Sequence, residues 1–178
     1  MSSLRALWVG KIRWRRDTTL GPDVNESYEK FGVNQHGEIR FGLGAIKGMG
    51  DSAAQAIIAE REKNGPYKTI FNFAERVNMS NVNRKAFESL ALSGGFDSFG
   101  IRREDFFVAN AKGEMFLDLL VRYGQTYQME KAQAQNSLFG AFDDLEIATP
   151  PIPKSDVHWS DIEQIGRASC RERVYACV

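Results

Sequence analysis

Three groups of residues in this 178-residue chain have types and spacing that could do chemistry. The first is Lys47-Gly48-Met49-Gly50-Asp51-Ser52. Two glycines around one hydrophobe permit a tight turn with positive φ and leave backbone N–H groups without side-chain cover. Where such a turn opens a helix, successive amides and the helix dipole make a cradle for phosphate. Lys47 would add a direct charge, and Met49 would point inward and tie the turn to a core. Contacts of this kind grip a sugar–phosphate backbone and do not read bases. The alternative is that Gly48 and Gly50 only make a helix–helix turn. Asp51 is then an ordinary N-cap, with a carboxylate that opposes a phosphate. The second group is Asp143-Asp144. Paired carboxylates can hold the metal ions of phosphoryl transfer, but this doublet sits in a Pro- and acid-rich stretch and reads as solvated charge. The third group is His36, His158, Cys170 and Cys177. The histidines have no ligand-spaced partner, and both cysteines fall in the last nine residues. Neither a metal site nor a disulfide framework follows, and a reducing compartment is the default.

These groups need elements to position them. After the glycines, Ala54, Ile57 and Ile58 fall on one helical face, with Arg61 along the same stripe. Asp51 reads as the N-cap, and Asn64-Gly65-Pro66 ends the helix. A second helix is predicted from Thr69, with Ile70, Phe73, Ala74 and Val77 at helical spacing. A third runs from Asn83, buries Phe87, Leu90 and Ala91, and stops at Gly94-Gly95. A longer helical stretch is predicted from near Arg103, with Phe116, Leu119, Leu120, Tyr123 and Tyr127 on one stripe. Gly113 and Gly124 are candidate breaks in it. Ahead of the first helix, Phe31 to Phe41 reads as two short strands around an Asn34-Gln35-His36-Gly37 turn. A short apolar helix, a Gly-hydrophobe-Gly turn and an amphipathic helix together make a helix-hairpin-helix signature. Lys63, Lys68, Arg76, Arg84 and Lys85 could widen its basic surface, although each alone reads as a solvated helix-face charge.

Composition bounds the classes. Lys plus Arg and Asp plus Glu are both 23, so the formal net charge is zero. The zero conceals segregation: residues 40–85 carry net +4 and residues 104–163 net −7. A basic middle and an acidic end suggest one phosphate-facing part and one repelling, solvated part. No apolar run approaches the roughly 20 residues of a membrane span. No secretory leader pattern opens the chain, and a cytoplasmic location is expected.

An ordered series of motifs now becomes specific. Pro22-Asp23-Val24-Asn25-Glu26-Ser27 is followed by Ile39-Arg40-Phe41-Gly42-Leu43-Gly44-Ala45-Ile46-Lys47-Gly48-Met49-Gly50. Then come Gly65-Pro66-Tyr67, Phe71-Asn72-Phe73-Ala74-Glu75-Arg76-Val77, Asn83-Arg84-Lys85 and Ser93-Gly94-Gly95-Phe96-Asp97. Over residues 21–163 the chain resembles the C-family of bacterial replicative DNA polymerases, the polymerase III alpha subunits. The resemblance covers the end of the fingers region and the tandem helix-hairpin-helix domain, with Asn83 to Phe96 in the place of a second, degenerate hairpin. It implies a role in holding duplex DNA behind a polymerase active site. The palm, with its magnesium-binding carboxylates, and the N-terminal domain lie upstream in the family. This chain is therefore expected to be a fragment of a nucleotidyltransferase with no cofactor and no catalysis of its own. Gln135-Asn136-Ser137-Leu138-Phe139 matches the family's internal sliding-clamp-binding pentapeptide. Leu138 and Phe139 would anchor in an apolar pocket while Gln135 hydrogen-bonds at its rim, and Ser137 matches the Ser/Asp position of the pattern. The alternative is that Leu138, Phe139 and Phe142 dock on the chain's own helices.

The two ends depart from the family. Arg13-Trp14-Arg15-Arg16-Asp17 stands where the family has a short apolar strand, so residues 1–20 are expected to be a non-native leader. Residues 164–178 end in a run that resembles a translated library adapter, and are expected to be a scar. The expected architecture is mainly α: a tandem helix-hairpin-helix domain with a short β or irregular lead-in and a disordered acidic tail. The divisions are a fingers-like lead-in at 21–39, the DNA-binding domain at 40–100, a helical extension at 101–130 and a flexible acidic linker carrying the clamp peptide at 131–163. The DNA-binding residues expected are Lys47, Gly48, Met49, Gly50, Asp51, Ser52, Arg84 and Lys85. The expected partners are double-stranded DNA, the sliding clamp and other replicative polymerase subunits. Two other functions fit parts of the sequence: a stand-alone helix-hairpin-helix protein of DNA repair or recombination, and a protein-interaction module that never meets DNA.

Overall fold

The structure is a computed structural model that describes residues 19–34, 36–136 and 147–156. A small lead-in sheet comes first. Its strands are β1 (Thr19–Leu20), β2 (Gly32–Val33) and β3 (Ile39–Arg40), in the order β1-β3-β2. β2 pairs antiparallel with β3, through the expected turn. The Asn34 side-chain oxygen accepts the amides of His36 and Glu38, both at 3.0 Å, and Gly37 takes φ +79°. β1 lies parallel to β3, so Thr19 and Leu20, set aside with the leader above, belong to the sheet.

Four helices carry the rest: α1 (Asp51–Asn64), α2 (Ile70–Arg76), α3 (Arg84–Ser93) and α4 (Phe116–Asn136). Two predicted first residues are caps instead. The Thr69 hydroxyl accepts the Asn72 amide at 3.1 Å, and the Asn83 carboxamide accepts the Ala86 amide at 3.1 Å. Each cap is worth about 1 kcal/mol. α3 ends on Gly94 in the left-handed region, as the Gly94-Gly95 pair suggested.

The core is a run of aromatic rings. Phe73 of α2 meets Phe87 of α3 at 5.4 Å and Phe96 at 5.1 Å between centroids, both edge to face. Phe96 continues to Phe106 at 5.5 Å and Phe106 to Phe116 at 5.8 Å. All five rings are fully buried. Each contributes about 2–3 kcal/mol by burial, and together they stitch α2, α3 and α4 into one unit.

Three expectations for the C-terminal half are corrected. No continuous helix starts near Arg103. Arg103–Phe107 is a 3-10 turn, and α4 begins only at Phe116. Asn110 is the reason: its side chain accepts the Lys112 and Glu114 amides at 2.8 and 3.0 Å, a local turn that outcompetes helix. Gly113, at φ +79°, completes it. Gly124, by contrast, breaks nothing. It sits inside α4 where α2 comes closest: a Cβ there would lie 2.6 Å from the Ala74 carbonyl oxygen and would overlap the Met79 methyl. Finally, α4 runs through Asn136, six residues into the expected linker. Further on, residues 147–156 return to the body of the domain. Ile147 packs against the core, the Ser155 amide donates to Asp105 at 2.7 Å and Arg102 donates to the Ser155 carbonyl at 2.9 Å. Asp105 is buried, and the returning backbone supplies one of its hydrogen bonds.

Candidate nucleic-acid interface

The glycine turn is held from below by apolar anchors. Leu43, in a 3-10 turn over Leu43–Ala45, is fully buried, and Ile46 and Met49 are also in the core. Met49 thus points inward, as expected. Lys47, Gly48, Gly50, Asp51 and Ser52 are exposed. The alternation turns the backbone of the turn outward while its hydrophobes fix its position.

The two glycines do different work, and the positive φ expected of the turn falls on one of them. Gly48 alone does so, at +91°. A Cβ on it would also lie 2.6 Å from the Ser89 hydroxyl oxygen and 3.3 Å from Cε of Lys85. α3 is therefore the floor beneath Gly48, and the Lys85 stem lies along it. Gly50 has φ −82° and ψ 153°, extended backbone that any residue adopts. The nearest atom to a Cβ there is the Ser52 hydroxyl oxygen, at 3.8 Å. What Gly50 contributes is the absence of a side chain.

That absence matters because Gly50, and not Asp51, is the N-cap of α1. Asp51 is the first helical residue, so its carboxylate caps nothing. The first amides of any helix lack intrahelical partners. Side chains cap α2 and α3, but none caps α1. The Gly50 carbonyl accepts from Ala53 and Ala54 at 3.0 and 3.1 Å, which leaves the amide end of the helix facing out beside Gly50. The connection between α2 and α3, residues 78–83, is built otherwise. Its amides turn inward onto Asn78: Ser80 donates to the side-chain oxygen at 2.9 Å, and Asn81 and Val82 donate to the carbonyl at 3.1 and 2.9 Å.

The basic residues separate into groups. Lys85 is exposed beside the glycine turn. Arg84, expected with it, is held by Asp118 at 2.5 Å and by Glu88 at 3.0 Å. The hydrogen bond to Asp118 is the main cause that raises the Arg84 guanidinium above its usual pKa. Arg76 is a brace: it reaches Glu60 at 3.1 Å and the Gly65 carbonyl at 2.8 Å, and it stacks 4.6 Å from the Tyr67 ring centroid. Lys63 lies in the last turn of α1, away from the glycines. Arg61, on the apolar stripe, is buried and donates to the Val24 carbonyl at 2.8 Å, which fastens α1 to the lead-in.

Sequence reasoning missed Ser89. A serine inside the Phe87–Leu90–Ala91 face was the available signal, because a small residue on an apolar face marks a close approach. Of the pentapeptide, Gln135 and Asn136 close α4; Ser137, Leu138 and Phe139 lie outside the described residues, as do Asp143, Asp144, His158, Cys170 and Cys177. Among the described residues, no three His, Cys, Asp or Glu side chains converge as a metal site would need. No helix among them is long and apolar enough to cross a membrane.

Comparison with known proteins agrees with this geometry. Residues 18–106 match the family described as helix-hairpin-helix motif. Over 152 residues the chain is 34% identical to DNA polymerase III subunit alpha of Haemophilus influenzae, a match that covers 82% of this chain and 12% of that protein. It is 38% identical over 147 residues to the protein of the same name from Deinococcus radiodurans, covering 82% of this chain and 10% of the relative. The Pasteurella multocida protein is 35% identical over 144 residues, covering 79% and 12%. The chain thus spans about a tenth to an eighth of the length of these relatives.

Proposed function

The chain belongs to the helix-hairpin-helix family and is related to the DNA polymerase III alpha subunits, and from that premise we propose that it binds the sugar–phosphate backbone of duplex DNA without sequence preference. One observation carries the reading. Gly50 leaves the α1 amide end bare, next to a turn that Met49 and Ile46 hold rigidly and beside which Lys85 stands. A phosphate is the anion of matching size and charge for such an end. The role is accessory: it holds the duplex, and nucleotidyl transfer is not assigned to these residues. The work would be done in the cytoplasm alongside other subunits of a replicative polymerase.

The test is Lys47→Glu with Gly50→Val, read by fluorescence anisotropy of a labelled duplex. Valine fits the extended backbone of Gly50 and the open space above it, so the fold survives while the amides are covered. Duplex binding is expected to disappear. Wild-type affinity is expected to fall steeply with salt, because phosphate contacts release counterions. Unchanged affinity in the double variant would remove the reading and leave a protein-interaction module. Strong preference for branched or gapped DNA would favour a repair or recombination protein.

We propose also that Gln135, Ser137, Leu138 and Phe139 tether the chain to the sliding clamp. The first two residues of the pentapeptide, Gln135 and Asn136, lie in the last turn of α4. Leu138→Ala with Phe139→Ala should abolish clamp binding and spare DNA binding. Clamp binding that persists would reassign both side chains to the chain's own core.

A further inference from the structure

One side chain of α4, Gln128, reaches the end of α2 where the residue 78–83 turn begins. The Gln128 carboxamide nitrogen donates to the Val77 carbonyl at 2.6 Å and lies 3.3 Å from the Ala74 and Glu75 carbonyl oxygens. Ala74 and Glu75 lie in the last turn of α2 and Val77 is its C-cap, so no further helical turn satisfies these carbonyls. One helical turn earlier, Gly124 lets α4 approach Ala74 and the Met79 methyl so closely that no Cβ fits. Val77 leads directly into residues 78–83, whose turn bonds rest on Asn78. That turn launches α3, and α3 brings Lys85 and Ser89 under Gly48. We propose that Gln128 is a positioning residue for duplex binding. By capping α2 from α4 it fixes the residue 78–83 turn, and through it the placement of Lys85 and Ser89 beneath the glycine turn. This rests on the duplex-binding reading above and adds a residue that contacts no nucleic acid.

The mechanism requires donation toward carbonyl oxygens, so the identity of the substituent decides the outcome. Gln128→Met keeps the volume and removes the donor. Gln128→Lys restores a donor of similar reach, and a cation suits a helix C-terminus. In the full chain, Gln128→Met should weaken duplex binding about fivefold, in the lower range for coupling between contacting groups. Gln128→Lys should return it to within about twofold. Gln125→Lys in the Gln128→Met background adds the same charge on an exposed position and should rescue nothing. Hydrogen exchange supplies a readout that does not depend on DNA. The amides of Ser80, Asn81 and Val82 should exchange at least about tenfold faster in Gln128→Met, and recover in Gln128→Lys, while the interior of α1 is unaffected. Should Gln128→Met fail to fold, Gln128→Asn, one methylene too short to reach Val77, takes its place. Unchanged exchange at residues 80–82, or rescue by Gln125→Lys, overturns the proposal even if the glycine-turn variants behave as expected. Altered exchange in a protein whose duplex affinity ignores Lys47→Glu with Gly50→Val would instead sink the duplex-binding reading.

Discussion

Replacing Gly48 by alanine tests the turn most sharply, because the structure assigns its cost to two separable sources. The first is backbone. At φ +91° an L-residue is strained, at a cost of about 1–2 kcal/mol. The second is space. The new methyl would sit 2.6 Å from the Ser89 hydroxyl oxygen on a buried face, and relieving that overlap costs about 1 kcal/mol, the low end for overpacking, because a single hydroxyl can rotate. The sum of about 2–3 kcal/mol corresponds to a melting temperature lower by roughly 10 °C in a domain of this size. Thermal unfolding followed by circular dichroism reads it directly. Gly48→Ala with Ser89→Ala should recover only the second part, about 1 kcal/mol, because removing the hydroxyl leaves the backbone strain in place. Gly50→Ala should be nearly neutral. Alanine is a poorer N-cap than glycine by a few tenths to about 1 kcal/mol, and the loss of glycine's unfolded-state freedom offsets that by about as much. A Gly48→Ala protein as stable as wild type, or a Gly50→Ala protein as damaged as Gly48→Ala, would refute the division of labour between the two glycines.

Three other outcomes follow from the same contacts. Arg61→Leu leaves the buried Val24 carbonyl without its donor and should cost about 2 kcal/mol in urea denaturation, despite the apolar stripe that a leucine would complete. Asn83→Ala removes the α3 cap and should cost about 1 kcal/mol, with Asn83→Ser recovering most of it. Alkaline stability should report the two buried phenols. Burial raises Tyr67 above its ordinary value of 10.0, and burial followed by the hydrogen bond to Glu75 raises Tyr123. The fold favours the neutral phenols, so their contribution is complete below about pH 10 and is lost as pH climbs beyond it. Tyrosinate absorbance should then rise for these two side chains only together with unfolding; titration of either in the folded protein would contradict the burial.

The elements that sequence made legible are those whose signals are local. Ile70, Phe73, Ala74 and Val77 have a helical period, Thr69 and Asn83 are good cap chemistry, and Gly94 can take the left-handed cap. Each acts within a few residues, and each appears within a residue of its predicted place. What escaped depends on distant partners. Arg84 reads as a free cation until Asp118, 34 positions later, takes it. Gly124 reads as a helix breaker because nothing nearby in sequence says that Ala74 and Met79 press on it. The helix predicted from Arg103 failed for a local reason, since Asn110 offers the backbone a competing turn that hydrophobic periodicity does not register. At the site itself, the pattern Gly-Met-Gly marked the turn and the inward Met49. It could not distinguish a glycine needed for φ and packing from one needed for access, because both are written with the same letter.

That distinction explains how a rigid turn can also be an open one. A helix end capped by glycine, with no side-chain hydrogen bond, gives up a few tenths of a kcal/mol and invites fraying, which would blur any site built on it. Here the loss is confined to one amide end, while Met49 and Ile46 below, Ser89 and Lys85 beside, and Arg61 along α1 hold the surroundings. The support is not local to the turn. It passes from α3 to the residue 78–83 turn, from there to α2, and from α2 to α4 through Gln128 and Gly124. α4 is about 30 Å long at 1.5 Å per residue, and about 12 Å of it lies beyond Gln128. A helix that props the glycine turn at one point and carries the start of the pentapeptide at its end sets a fixed offset between the two. Under the proposed function, that offset narrows the volume the tether must search, so the local concentration of clamp at the duplex depends on α4 remaining a helix rather than becoming a flexible linker of equal residue count.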